Sequence, residues 1–239
     1  MIRHALLFSA GVLVGSCTAV PPAYSPDATF SGGAESLAAK TVALVQRKGD
    51  EAVSPYCSGV WVSPTLIVTA NHCVSSLAEG AAVRYVVRAD VYPVAGSCEE
   101  SCYIPPRLGV LQARDAAHDL ALVRVGAPPE SHAIARVAPV DPLQGDHVSA
   151  MGHSLGFWYS YSEGTVGAVR YDHLADEDGD LSLVVQSTSP ISPGNSGGGL
   201  FDVHGDLIGI AHGSYTRGQG VNIFVHSTYV TALLRGVSP

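Results

Sequence analysis

Short apolar stretches broken by turn residues run through most of this chain, and few of them hold a helical period. The pattern predicts a first set of strands at Thr41–Gln46, Gly59–Val62, Leu66–Thr69, Val83–Ala89 and Leu120–Val125. After a turn-rich stretch at about 127–142, a second set follows at His147–Met151, Thr165–Tyr171, Ser182–Gln186, Gly199–Val203, Leu207–His212 and Val221–Phe224. These are comparable groups of about six strands each, which is what a pair of six-stranded antiparallel β-barrels needs. The fold class is therefore all-β. A helical period emerges only at His226–Leu234, where Val230, Leu233 and Leu234 form one apolar face, so a short C-terminal helix is expected.

The N-terminal end has another character. Arg3 and His4 precede the apolar run Ala5–Val14, which is too short to cross a bilayer as a helix and has the shape of a signal peptide, residues 1–16. The run closes on Val14-Gly15-Ser16-Cys17, which resembles the bacterial lipobox, after which Cys17 is acylated and becomes the mature N-terminus. An ordinary signal peptide cut near Ala19, with Cys17 discarded, is the alternative. Residues 17–37, rich in Ala, Pro, Ser and Gly, read as a lipid-anchor cysteine and flexible tether ahead of a folded domain at 38–239, with lobes at about 38–126 and 143–225. The protein is thus expected to be exported, either as a cell-envelope lipoprotein or secreted, and monomeric.

Composition narrows the partners. Of the 239 residues 46% are hydrophobic, enough for one well-packed two-lobed domain. A formal net charge of −8, with no cluster of Lys and Arg interleaved with aromatics, excludes nucleic acid as a partner. Five cysteines leave one over if the others pair in an oxidising compartment, and Cys17 is the natural odd one. Cys98 and Cys102 bracket a stretch that can close a small loop, which leaves Cys57 and Cys73 for each other. No Cys-x-x-Cys spacing suggests zinc, and neither metal nor organic cofactor is expected.

The sharpest chemical signal is Pro193-Gly194-Asn195-Ser196-Gly197-Gly198-Gly199, a serine among glycines between two predicted strands. Glycines let the backbone turn tightly enough for the Gly194 and Ser196 amides to face one developing oxyanion. A serine hydroxyl also needs a base in hydrogen-bond reach, held in turn by a carboxylate. Ile67-Val68-Thr69-Ala70-Asn71-His72-Cys73 places a histidine just after an apolar strand, and His118-Asp119-Leu120-Ala121-Leu122-Val123 places a carboxylate at the entrance of another. Taken singly, His72 could be a loop histidine and Asp119 a turn residue. For His118, His153, His204 and His212 a surface or strand-end role is expected. The string Gly194-Asn195-Ser196-Gly197-Gly198 also fits the nucleophile elbow of α/β-hydrolases, but a strand rather than a helix follows it, and little chain remains for an acid and a base.

In context and in chain order, His72, Asp119 and Ser196 resemble the catalytic triad of the trypsin-like peptidases. The resemblance covers roughly Lys40 to the C-terminus. It implies a chymotrypsin-like pair of barrels, hydrolysis of polypeptides through an acyl-enzyme, and a Cys57–Cys73 disulfide beside the catalytic histidine. Asn195 stands where digestive members carry the aspartate that pairs with a newly cut N-terminus, so activity without such processing is expected. Asn there, the run Gln186–Gly198, Met151–Phe157 and Gly164–Gly167 are closest to the HtrA/Deg branch, with glutamyl endopeptidases also similar. No PDZ module is expected after the last strand. By position, Pro190, Ile191 and Ser192 should form one wall of the specificity pocket, and Ala211, His212 and Gly213, continuing to Ser214, another. With no aspartate at its base, and Ile191 where glutamyl endopeptidases carry a hydroxyl, the pocket should take a small or medium apolar residue. A catalytically silent peptidase-like binding protein is the main alternative, and a general ester hydrolase a second.

Overall fold

The structure is a computed structural model that describes residues 33–48, 52–88, 106–126, 132–174, 180–215 and 218–237. The signal segment, Cys17, most of the expected tether, and Cys98 and Cys102 lie outside the described residues.

The first barrel is built from β1 (Thr41–Lys48), β2 (Ala52–Ser63), β3 (Leu66–Ala70), β4 (Ala82–Val87), β5 (Arg107–Asp115) and β6 (Leu120–Val125), closed in the order β1-β2-β3-β6-β5-β4. The second uses β7 (His147–Gly152), β8 (Ser160–His173), β9 (Leu181–Ser187), β10 (Gly199–Phe201), β11 (Leu207–Ser214) and β12 (Asn222–His226), closed as β10-β11-β12-β9-β8-β7. Every strand pairing in both is antiparallel. The expected all-β, chymotrypsin-like architecture is present, closure removing the exposed strand edges that invite aggregation.

Predominantly apolar, buried runs such as Leu66–Ala70 have a simple cause. Successive strand side chains point to opposite faces. In β3, Ile67 enters the first barrel's core while Val68 enters the seam between the barrels. In β6, Ala121 and Val123 face the same barrel core, and Leu120 and Leu122 the seam. The second barrel contributes Met151, Phe201, Leu207, Ile210 and Val225 to that seam, while its own core holds Val148, Val166, Val185, Leu200, Ile208 and Phe224. Strands wedged between two apolar layers have no polar face, so period-two alternation vanishes from their sequence.

Three elements depart from the hydrophobic pattern. Strand β5 has no counterpart among the predicted strands, because its apolar Leu108 and Val110 face solvent while Gly109 points inward. A Cβ at Gly109 would sit 2.6 Å from Val123, so the inward position admits no larger residue. Strand β2 begins at Ala52, well before the predicted Gly59, accommodating Pro55 beside a bulge where the register with β1 shifts between Leu44 and Val45. Helix α1 (Ala34–Lys40) occupies chain expected to be tether up to residue 37. Leu37 is fully buried in the seam with Val230, so burial of one leucine fixes a helix too short to show a period. Helix α2 (Thr228–Gly236) is the expected closing helix, with Val230 fully buried.

Candidate active site

The candidate residues sit on the loops at the seam. Residues Asn71–Cys73 form a single 3-10 turn directly after β3, and Cys73 is joined to Cys57 of β2 by a disulfide. Asp119 ends the turn before β6, and pairing of Ala70 with Leu120 sets His72 beside it. The Asn71 N–H donates to the Asp119 carbonyl at 2.9 Å. Asp119 has a left-handed backbone, φ 52°, a conformation that aspartate tolerates better than most residues.

The Asp119 carboxylate accepts the His72 backbone N–H on Oδ1 at 2.8 Å and the His72 Nδ1–H on Oδ2 at 2.8 Å. Burial opposes its charge, but hydrogen bonds from His212 and His72, with the His72 charge, hold its carboxyl well below the usual carboxylate range. An ionised Asp119 keeps the proton of a neutral His72 on Nδ1 and leaves the Nε2 lone pair free to act as a base.

Ser196 is held by its own backbone. Its carbonyl accepts the Ser58 N–H at 2.7 Å, the Gly197 N–H reaches the Ala211 carbonyl at 2.8 Å, and the Ala211 N–H returns to the Gly198 carbonyl at 2.8 Å. The loop is thus clamped between β2 of one barrel and β11 of the other. Gly197, at φ 82°, is pressed so closely on the first barrel that a Cβ would lie 2.2 Å from the Ser58 carbonyl oxygen. Ser58 Oγ donates to the Gly194 carbonyl at 2.8 Å and lies 2.9 Å from His153 Nδ1. A neutral His153 giving its Nδ1–H to Ser58 lets that hydroxyl donate onward, and burial pushes His153 down to about 3, which keeps it neutral. Among the described residues, the Gly194 and Ser196 amides donate to no acceptor, unlike those of Asn195, Gly197 and Gly198.

Ser196 Oγ lies 3.5 Å from the His212 carbonyl, and among the described residues it shares no hydrogen bond with His72. Such contacts are often long without substrate and tighten on binding. The Ser196, His72 and Asp119 segments are nonetheless gathered in one place. Cys73 Sγ lies 3.7 Å from the Ser196 carbonyl oxygen, and His212, next to Ser196, makes a 2.6 Å hydrogen bond to Asp119 through Nδ1.

The sequence did not reveal that contact. His212 points at Asp119, whereas a surface or strand-end role was expected for it. The only signal nearby was its expected place in a wall of the specificity pocket. His153 also departs from expectation, being fully buried against Trp158 and Tyr159. His118 stacks on Tyr229 and pairs with Asp115, and His204 sits in an exposed turn. Of the expected pocket walls, Ala211 and Ile191 pack on the second barrel's core, the Pro190 carbonyl accepts from Ser162 Oγ, and the Ser192 carbonyl accepts from the Asn195 N–H. A cavity of about 210 Å³ is lined by His212, Gly213, Ser214 and Tyr215 on one side and Asp172, His173 and Leu174 on another, with Ile223. Among the described residues, His72, Asp119 and His212 bring ligand atoms within 4.8 Å of one another, as do Cys57, His72 and Cys73, whose cysteines are joined in the disulfide. The Nδ1 atoms of both histidines are already engaged by one carboxylate oxygen, Asp119 Oδ2.

Two closed six-stranded antiparallel barrels with a serine loop and a His–Asp pair at their seam define the chymotrypsin-like class of fold. A family model described as "Trypsin-like peptidase domain" matches residues 57–210, and the chain belongs to that family. A probable periplasmic serine endoprotease DegP-like of Hahella chejuensis is 32% identical over 177 residues, 73% of this chain and 33% of that protein. The periplasmic serine endoprotease DegP of Escherichia coli K12 is 34% identical over 98 residues, 41% of this chain and 20% of its own length. The chain thus spans a third or less of the curated relatives it matches. The active form of the Rv3671c protease from M. tuberculosis superposes with a TM-score of 0.69 at 19% identity, covering 96% of both chains, a likeness of fold.

Proposed function

We propose that this chain is an exported serine endopeptidase of the HtrA/DegP type that cleaves polypeptides through Ser196, His72 and Asp119. The observation that carries this reading is the pair of hydrogen bonds from His72 to Asp119, set at the seam where both barrels clamp the Ser196 loop. In acylation Ser196 Oγ attacks the peptide carbonyl and its proton passes to His72 Nε2; Asp119 balances the imidazolium that forms, and the free Gly194 and Ser196 amides receive the oxyanion. The proton then goes to the leaving amine, and water repeats the sequence to release the acyl group.

Periplasmic relatives and the N-terminal apolar run support export, and the Cys17 context supports a lipid anchor; a mature protein without N-terminal acyl chains would refute the anchor. A small or medium apolar residue before the scissile bond and a monomeric state complete the reading. A silent peptidase-like binder is favoured by one observation, the missing Ser196–His72 hydrogen bond. Fluorophosphonate labelling and cleavage of an unfolded protein, followed by mass spectrometry, separate the two. We expect labelling and cuts that fall at least about 10³-fold in Ser196→Ala. A folded chain that neither reacts nor cuts is the binder.

A further inference from the structure

His212 faces an acceptor with each ring nitrogen. Nδ1 lies 2.6 Å from Asp119 Oδ2, and Nε2 lies 2.8 Å from the Leu174 carbonyl oxygen. A carbonyl oxygen cannot donate, so Nε2 must carry a proton. Asp119 is ionised and already accepts two N–H groups from His72, so Nδ1 must carry one too. A neutral tautomer would set a nitrogen lone pair against an oxygen lone pair at one contact or the other. The ring is therefore an imidazolium, and its contact with Asp119 is charge-assisted and short.

We propose that His212 is a positioning residue of the active site, a cation that braces Asp119 in the resting enzyme and brakes catalysis until it loses its proton. This rests on the catalytic reading above. Both histidines donate to the same Oδ2, and their ring centres are 5.8 Å apart. When the Ser196 proton arrives on His72, two cations share one carboxylate, and Asp119 supports the second less well than it would support the first. Release of the His212 proton restores the full carboxylate charge to His72. Burial works against the charge on His212, but the hydrogen bond and charge of Asp119, with the Leu174 carbonyl, raise it above the ordinary imidazole value. The brake therefore lifts at a higher pH than that at which an ordinary imidazole gives up its proton.

The other groups near the ring leave this balance in place. Asp172, His173 and Tyr215 line the adjoining cavity. The Asp172 carboxylate already accepts from Arg170 at 3.2 Å and from the Tyr215 hydroxyl at 3.3 Å, and it holds the His173 backbone N–H at 3.0 Å. The hydroxyl of Ser196 meets the His212 backbone, not its ring.

Two measurements test the proposal on the full chain. In Ser196→Ala with isotopically labelled histidine, ring-nitrogen NMR over roughly pH 5 to 9 should show one histidine protonated on both nitrogens at neutral pH, its signal absent when His212→Thr is added. A His212 with one bare nitrogen at pH 6 overturns the proposal, whatever the enzyme does. In the active chain, kcat/KM should rise in two steps with pH. His212→Thr, which keeps a donor beside Asp119, should lose the upper step and move the lower one to higher pH by about one unit. Profiles of identical shape overturn the brake. A chain that no fluorophosphonate labels at any pH overturns the catalytic reading and the brake with it, a failure distinct from a neutral His212 in an enzyme that cuts.

Discussion

His153 shows how a residue remote from the reacting atoms can govern the site. It holds Ser58, and Ser58 holds the carbonyl of Gly194, so a buried neutral imidazole fixes which way the neighbouring peptide units face. Its proton affinity in the folded protein is depressed to about 3, so between the ordinary value of 6.5 and that figure the unfolded chain binds more protons than the folded one. The stability contributed is complete above the unfolded value and is lost as pH falls through that window. At pH 5 the loss from His153 should be about 2 kcal/mol relative to pH 7. His226, also lowered by burial, adds in the same direction. Denaturant midpoints measured at both pH values check this: His153→Asn, which keeps a donor but cannot titrate, should flatten the dependence, and equal slopes would show that His153 is not the titrating group.

The strands and the loops between them divide the labour. Strands β3 and β6 bring His72 and Asp119 together through an antiparallel register in which Ile67 pairs with Val123, and a one-residue slip would exchange these core residues with the seam-facing Val68 and Leu122. The Ser196 loop has no such ladder and relies on glycine. At Gly197 a positive φ coincides with a contact that no Cβ can make. Gly197→Ala should destabilise the fold by about 2 to 4 kcal/mol and abolish cleavage, read from a denaturation curve and a turnover assay together. Retention of full activity would mean the loop can leave the first barrel without harm. These glycines were legible in the sequence as a tight turn around a serine. Strand β5 was not, since an inward glycine between outward apolar residues inverts the pattern by which strands are recognised.

Across the whole molecule, the seam is what makes one protein of two barrels, and α1 seals it from the N-terminal side. Leu37 packs there without exposure, and Thr41 Oγ1 caps its carbonyl at 2.9 Å. Leu37→Ala should cost about 2 to 5 kcal/mol and lower activity near the melting transition, because the seam also carries the two halves of the site. An unchanged unfolding midpoint would show that the helix is dispensable. The sequence by itself determined the number and kind of strands in the second barrel, the closing helix, and the candidates His72, Asp119 and Ser196, because short apolar runs, a helical period, glycine punctuation and motif context are local properties of the chain. It also left Cys57 and Cys73 for each other, and the disulfide joins them. Only the tertiary structure decided that Leu37 is core, that Gly109 faces inward, that His153 is buried beneath the serine loop and that His212 reaches Asp119. Each of those depends on which distant segment lies opposite, and residues 93 positions apart leave no mark on one another's local sequence.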